Sequence, residues 1–443
     1  MNIAFPRILA LTFGISAVVA SCAGVPARQP ARGEDAVGYG FNPALPKPRP
    51  TVIPIVNIAD ATGWPKRRAP TPARGLKVTA FATRLDHPRW LLVLPNGDVL
   101  VAESNAPAKH DEGFSLKKVF IGQAMKRAGA ATESANRITL LRDKNGDGVA
   151  DLRSTFAEGL NSPFGMALSG GQLFVANTDA LVAFPYSDGQ TRVKAKPQKI
   201  TDLPAGDLNH HWTKDVIASR DGRKLYVTVG SNSNVAENGM AVEENRAAVL
   251  EVDKASGRTR VFASGLRNPN GLSWNPQSGA LWVAVNERDE LGDDLVPDYM
   301  TSVRDGAFYG WPYSYFGQNV DTRVKPSRPD LVARAVKPDY ALGAHTASLG
   351  LTFSKGTSLG SPFANGAFIG QHGSWNRSIP SGYKVIFVPF KNGKPNGRPR
   401  DVLTGFIAKG KAMGRPVGVA IDRKGALLVA DDVGNVIWRV SRD

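Results

Sequence analysis

Two adjacent histidines (His210, His211), an arginine-asparagine pair (Arg267-Asn268) and a late arginine (Arg415) each stand just ahead of a short apolar run, as do His87 and Arg89. Imidazole takes a proton from a hydroxyl near neutral pH. Planar guanidinium groups bind ligands with several carboxylates or phosphates through paired hydrogen bonds. A second set of polar residues follows apolar runs: Glu103, Asn177, Ser231, Asn286, Glu287, His372, Asp431 and Asp432. Strand ends are polar in any sheet, and Asp or Asn there commonly ties down a loop. That accounts for most of these positions. It accounts less well for a His-His pair and three arginines at one end of the elements, which suit proton transfer beside an anionic ligand.

The elements that must position these residues recur six times: polar residues, usually a proline, an apolar strand, a tight turn, and a second apolar strand. The copies begin at His87, Ser162, His210, Arg267, Thr346 and Gly414. Asn96-Gly97, Gly170-Gly171 and Asp221-Gly222 are turn pairs that join antiparallel strands, so each copy predicts a hairpin. The residues before the first strand and after the second then share one end. The interval averages about 66 residues, against roughly 40–50 for a compact blade, so the blades carry insertions. One hairpin cannot bury both faces, and radial repetition supplies a neighbour on each side. The fold class is therefore all-β, a six-bladed β-propeller, with Gly75–Leu85 completing the last blade and closing the ring.

Residues 1–21 have a basic start, an apolar run and small residues before Cys22, which reads as a signal peptide. Cys22 is the only cysteine, so it forms no internal disulfide. Val19-Ala20-Ser21-Cys22 resembles a bacterial lipoprotein signal, which implies lipidation of Cys22. Ala23 after it resembles sorting to the outer membrane, facing the periplasm. Residues 22–74 are rich in Pro, Ala and Arg and read as a semi-rigid tether, leaving 75–443 for the propeller. A net charge of +16 suits nucleic acid, an acidic membrane surface or an acidic redox partner. Export argues against nucleic acid.

Two insertions separate the first two hairpins. Leu116, Val119, Phe120, Ile121 and Met125 share a side of a predicted helix whose other flank is basic. Asp143, Asn145, Asp147 and Asp151 then follow the spacing that opens an EF-hand loop, a candidate structural calcium site lacking the closing glutamate at Ser154.

At this point a resemblance becomes specific. The runs His211–Lys214 (H-x-T-K), Gly265–Leu272 (GLRNPNGL), Gly292–Leu295 (GDDL) and Tyr309–Pro312 (YGWP) resemble the soluble quinoprotein sugar dehydrogenases, the glucose/sorbosone dehydrogenase family. The likeness runs from about Gly75 to the C-terminus. GSWNRSIPSGYKVIFVPF and GRPVGVAID are nearest the sorbosone branch. The resemblance implies a six-bladed propeller holding pyrroloquinoline quinone (PQQ) and calcium, oxidising the C1 hydroxyl or hydrated aldehyde of a sugar. It implies His211 as the base, with His210 the rival position. Arg267, Asn268 and Arg415 would contact the cofactor, and Arg377 would replace a lysine of the fifth blade. Calcium would sit on backbone carbonyls near Arg288 and Asp289, with Glu287 adjacent, although N-E-R-D-E-L-G-D-D stands where the glucose enzymes have a Gly-Pro-rich turn. Electrons would pass to a periplasmic or membrane acceptor. No nucleotide-binding glycine loop follows a strand, and no cysteine is placed for redox work.

Two rivals stay open: a lactonase-type hydrolase with one calcium held by Glu103, Asn177, Asn286 and Asp431, and a non-enzymatic, lipid-tethered binding propeller.

Overall fold

The computed structural model describes residues 37–50, 56–107, 127–129 and 132–443. The expected signal peptide, Cys22 and nearly all of the amphipathic helix lie outside them. Asp35–Asp443 cluster as one compact unit. Among the described residues no helix is long and apolar enough to cross a membrane.

The six predicted hairpins are present, and each grows into a sheet of at least four strands. The first sheet runs Pro88–Val93, Val99–Glu103, Arg137–Arg142, Leu152–Ala157; the second Met166–Ser169, Gln172–Ala176, Ala180–Pro185, Gln198–Asp202. The third runs Val216–Ala218, Lys224–Val229, Ala248–Asp253, Thr259–Ser264; the fourth Asn268–Trp274, Leu281–Asn286, Pro297–Val303, Tyr340–Ala344. The fifth runs Ser348–Phe353, Gly366–Gln371, Lys384–Lys391, Arg400–Thr404. The sixth takes Pro416–Ile421, Leu427–Asp431 and Val436–Arg442 from the end of the chain and Leu76–Ala82 from near its start. Leu76 to Ala82 lie antiparallel to Arg442 to Ile437, as expected of a closing strand.

Alternating side chains of one strand leave opposite faces of the sheet, and here both faces are covered. Leu281, Val283 and Val285 join a cluster with Tyr226 and Val249 of the third sheet, while Trp282 and Ala284 join Leu351, Phe353 and Ile369 of the fifth. Each pair of successive sheets shares such a cluster. The sequence of clusters returns on itself where Leu428, Ala430 and Ile437 of the sixth sheet meet Leu91, Val99 and Val101 of the first.

Glycine sets how closely the innermost strands approach. A Cβ on Gly350 would lie 2.2 Å from the Val417 carbonyl of the sixth sheet, and one on Gly418 would lie 2.8 Å from the Arg89 carbonyl of the first. Gly165 and Gly271 stand at the equivalent place in their own repeats, as close to the next inner strand. The recurring Gly-apolar word is thus a backbone-contact requirement.

The Pro-rich segment read as a tether is not free throughout. Tyr39–Gly40 extends the fourth sheet, Thr71–Pro72 extends the fifth, and Asp60–Ala61 pairs in parallel with Lys411–Ala412. Trp64 donates its indole N–H to Asp431 at 2.6 Å. The composition boundary at residue 75 therefore falls inside chain already packed on the sheets. Arg127, from the basic flank near the end of the predicted helix, reaches Asp60 at 2.7 Å.

Candidate functional site

The ends of the hairpins bring two groups of polar side chains together. The first group comes from the third, fourth and fifth sheets. His211 directs Nδ1 to the Ser231 carbonyl at 2.7 Å. A carbonyl accepts only, so Nδ1 carries the proton and Nε2 keeps its lone pair in the neutral ring. Burial lowers the His211 pKa well below 6.5, and the Arg267 and His210 charges lower it further. His210 is exposed, its ring set edge-on to His211 with centroids 4.7 Å apart. His211 and Asn268 crowd the same space: a Cβ on Gly230 would meet His211 Cβ at 2.4 Å and Asn268 Oδ1 at 2.5 Å.

Arg267 is anchored by its terminal nitrogens, to the Glu287 carbonyl at 2.6 Å, Asn234 Oδ1 at 3.0 Å and Asp289 at 3.4 Å. Asp289 also takes His345 Nδ1 at 3.0 Å, while His345 Nε2 faces the Gly292 carbonyl at 2.9 Å. Burial opposes the charge on His345, but the hydrogen bond and charge of Asp289 raise its pKa above 6.5. For Asp289 burial alone would raise the pKa; His345 and Arg267 overcome that and lower it.

The second group comes from the first, fifth and sixth sheets and centres on Asp432. Its Oδ2 accepts from Arg89 and, at 2.8 Å, from His372 Nε2, with His87 Nε2 at 3.7 Å. Burial works against ionising Asp432, yet His372 and Arg89 hold its pKa far below the usual carboxylate range. His87 is pushed down to about 4, chiefly by burial, with Asp432 opposing. Arg415 stacks on Tyr383, guanidinium carbon 4.8 Å from the ring centroid. The two groups join where Arg89 packs 5.7 Å over the ring of Trp212, the residue after His211.

Buried polar groups lacking hydrogen-bond partners concentrate here: Nε and Nη2 of Arg415, Nε of Arg267 and of Arg89, Oδ1 of Asn268, and both ring nitrogens of His87. Desolvated donors without acceptors are costly. A planar ligand with several carboxylate or carbonyl oxygens satisfies the arginine nitrogens among them, so those donors fit a cofactor of the pyrroloquinoline quinone type, while Asn268 Oδ1 accepts from a ligand N–H or O–H.

Several expected residues point elsewhere. Glu287 turns inward, where Oε2 holds Arg288, and Arg288 also pairs with Asp321 and the Pro312 and Ser314 carbonyls. Both side chains are committed to protein partners. The Asp289 carbonyl already accepts from Asn234 at 3.2 Å and Arg323 at 3.0 Å, which fills both lone pairs. A calcium resting on consecutive carbonyls at Arg288 and Asp289 does not fit this arrangement. Arg377 spends its donors on Asp293, Ile379 and Asp294. The side chains around the fifth sheet that do join the site are His345, just before its inner strand, and His372.

The EF-hand-like loop is also satisfied without a metal. Asp143 accepts from Gly146 and Gly148 N–H, Asp147 from Val149 N–H and Asp151 from Lys144 N–H, while Asn145 contacts Asp147 and Asp151. The Lys424 ammonium reaches in to the Gly146 carbonyl at 2.5 Å and Asp143 at 3.4 Å. Among the described residues no three His, Cys, Asp or Glu side chains group as metal ligands. Three of the rival lactonase ligands are engaged apart from one another: Glu103 with Arg137, Asn286 with Arg267, and Asp431 with Trp64 and Trp438.

Comparison with known proteins agrees with this picture. The chain is 28% identical over 297 residues to an uncharacterized protein of Borreliella burgdorferi, covering 65% of this chain and 77% of that one. It is 24% identical over 263 residues to the pyrroloquinoline quinone-dependent pyranose dehydrogenase of Coprinopsis cinerea, covering 50% of this chain and 35% of that longer protein. In structure it matches the holo form of that enzyme's PQQ domain with a TM-score of 0.69 at 20% identity, over 87% of this chain and 100% of the other. It matches a calcium structure of the Trichoderma reesei AA12 carbohydrate-active enzyme with a TM-score of 0.69 at 19% identity, over 85% and 97%. Those two likenesses share a β-propeller-like fold. The TrAA12-like family model matches residues 131–303 and 319–443, from the third strand of the first sheet to the last strand of the sixth, and the chain belongs to that family.

Proposed function

We propose that this chain is a six-bladed propeller that oxidises a sugar, at its C1 hydroxyl or hydrated aldehyde, with pyrroloquinoline quinone as cofactor. The observation that carries the proposal is His211: neutral, with Nδ1 committed to the Ser231 carbonyl. Its Nε2 is a general base beside a set of unpaired cationic donors. Family membership and the fold neighbours support the redox class.

In this reading Arg415, Arg89, Arg267 and Asn268 hold the cofactor, and His372 and Asp432 keep Arg89 and their own wall in place. The quinone, when bound, supplies the two-electron acceptor for the hydride leaving C1. His211 Nε2 takes the hydroxyl proton, so the sugar loses one hydride and one proton and its C–O bond becomes a carbonyl. Arg267, held by Asp289 and Asn234, keeps positive charge beside the reacting oxygens without moving during the reaction. The sorbosone branch, export, lipidation at Cys22, outer-membrane attachment and a periplasmic or membrane electron acceptor belong to the same proposal and rest on the sequence motifs. Calcium has no assigned place in the mechanism.

The test is quinone titration by absorbance, with and without calcium, followed by dye reduction with aldoses, sorbosone and simple aldehydes. Expected are saturable quinone binding, sugar-dependent reduction that needs the quinone, and a loss of about 10²–10⁴-fold in turnover for His211→Ala with quinone binding retained. No quinone binding sinks the reading, and lactone hydrolysis becomes the next assay.

A further inference from the structure

Of eight tryptophans, Trp375 alone is exposed, at 42%. Ile379, four residues on, is 72% exposed. An aromatic ring of that size is ordinarily covered. Both sit on a short loop whose base closes through Ser374 and Ser381, directly after His372.

The loop is fixed from two sides. Asn57 donates to the Trp375 carbonyl at 2.9 Å and to the Ser378 carbonyl at 2.7 Å. On the other side Arg377 and Ser378 hold Asp293, Arg377 reaches Asp294, and Asn376 Oδ1 accepts the Glu290 N–H at 3.2 Å. Glu290 follows Asp289, the carboxylate on Arg267. Trp375 therefore lies on a loop that starts beside His372 of one polar group and is tied through Asn376 to the chain next to the Asp289–Arg267 pair of the other.

We propose that Trp375, with Ile379, is a platform for the C–H face of a pyranose ring at the rim of the site. Sugars present hydroxyl edges and an apolar face; the polar walls suit the edges and a rigid exposed indole suits the face. The substrate class is then cyclic pyranoses and pyranose-ended saccharides, and open-chain aldehydes gain nothing from the platform. This rests on the sugar-oxidising reading.

The test titrates the chain with methyl β-D-glucopyranoside, the corresponding galactoside and xyloside, and glyceraldehyde, by ligand-observed NMR, which needs no turnover. Trp375→Ala is expected to weaken pyranoside binding about tenfold, as loss of an aromatic anchor covered by its ligand does. Trp375→Phe is expected to restore most of it, with glyceraldehyde unaffected in both and unchanged melting temperatures. Equal pyranoside binding by wild type and Trp375→Ala, or none by wild type, overturns the platform. Parallel quinone titration separates the two readings: pyranosides bound through Trp375 without quinone binding leave the platform and remove the dehydrogenase. Quinone-dependent oxidation with unchanged KM in Trp375→Ala removes the platform alone.

Discussion

His211 owes its low pKa to burial first and to the Arg267 and His210 charges next, so it stays neutral well below pH 6.5. The acidic limb of kcat/KM is accordingly expected below pH 6.5. His210→Gln removes one repelling neighbour, raises the His211 pKa, and moves that limb to higher pH; a limb that stays in place means His210 carries no charge near the base. Asp432 is a different kind of residue, a buried carboxylate that pairs with the Arg89 cation and bonds His372, with the His87 ring nearby. Asp432→Asn leaves the buried Arg89 without its counter-charge, and chemical denaturation is expected to show about 3–5 kcal/mol lost. His211, Arg267 and Arg415 were legible because each abuts an apolar strand phrase. Glu287 and Arg377 misled because both lie beyond the last paired residue of a strand, where the period of two no longer sets direction. Arg288 and Asp294 then decide where those chains point. His345 was missed although it stands just before the fifth inner strand, where the other copies carry their polar residues.

The hairpins were legible because two apolar runs around a Gly turn have few alternatives. The edge strands at Tyr39–Gly40, Asp60–Ala61 and Thr71–Pro72 were not, since two residues have no period and Pro-rich composition reads as linker. Their contribution is measurable. A chain starting at residue 37 is expected to melt higher than one starting at residue 75, which lacks these strands and the Trp64 hydrogen bond to Asp431. Equal melting temperatures would show that the segment rests on the sheets without stabilising them. Gly350 tests the inner-strand packing. Gly350→Ala forces a methyl against the Val417 carbonyl, and a loss of about 1–3 kcal/mol is expected from overpacking.

Across the whole molecule the six apolar clusters do what no single sheet can, since each sheet buries its second face only against the next. The net charge of +16 acts at this scale as well. If electrons leave to an acidic acceptor, reoxidation by a negatively charged acceptor should slow as ionic strength rises, while a neutral dye is unaffected. Closure of the sixth sheet carries one more consequence. Leu76–Ala82 emerges early in synthesis and its partner Val436–Arg442 more than 350 residues later. At about 5–20 residues per second the early strand waits tens of seconds with an open edge. The sixth sheet can take its fourth strand only when synthesis is nearly complete.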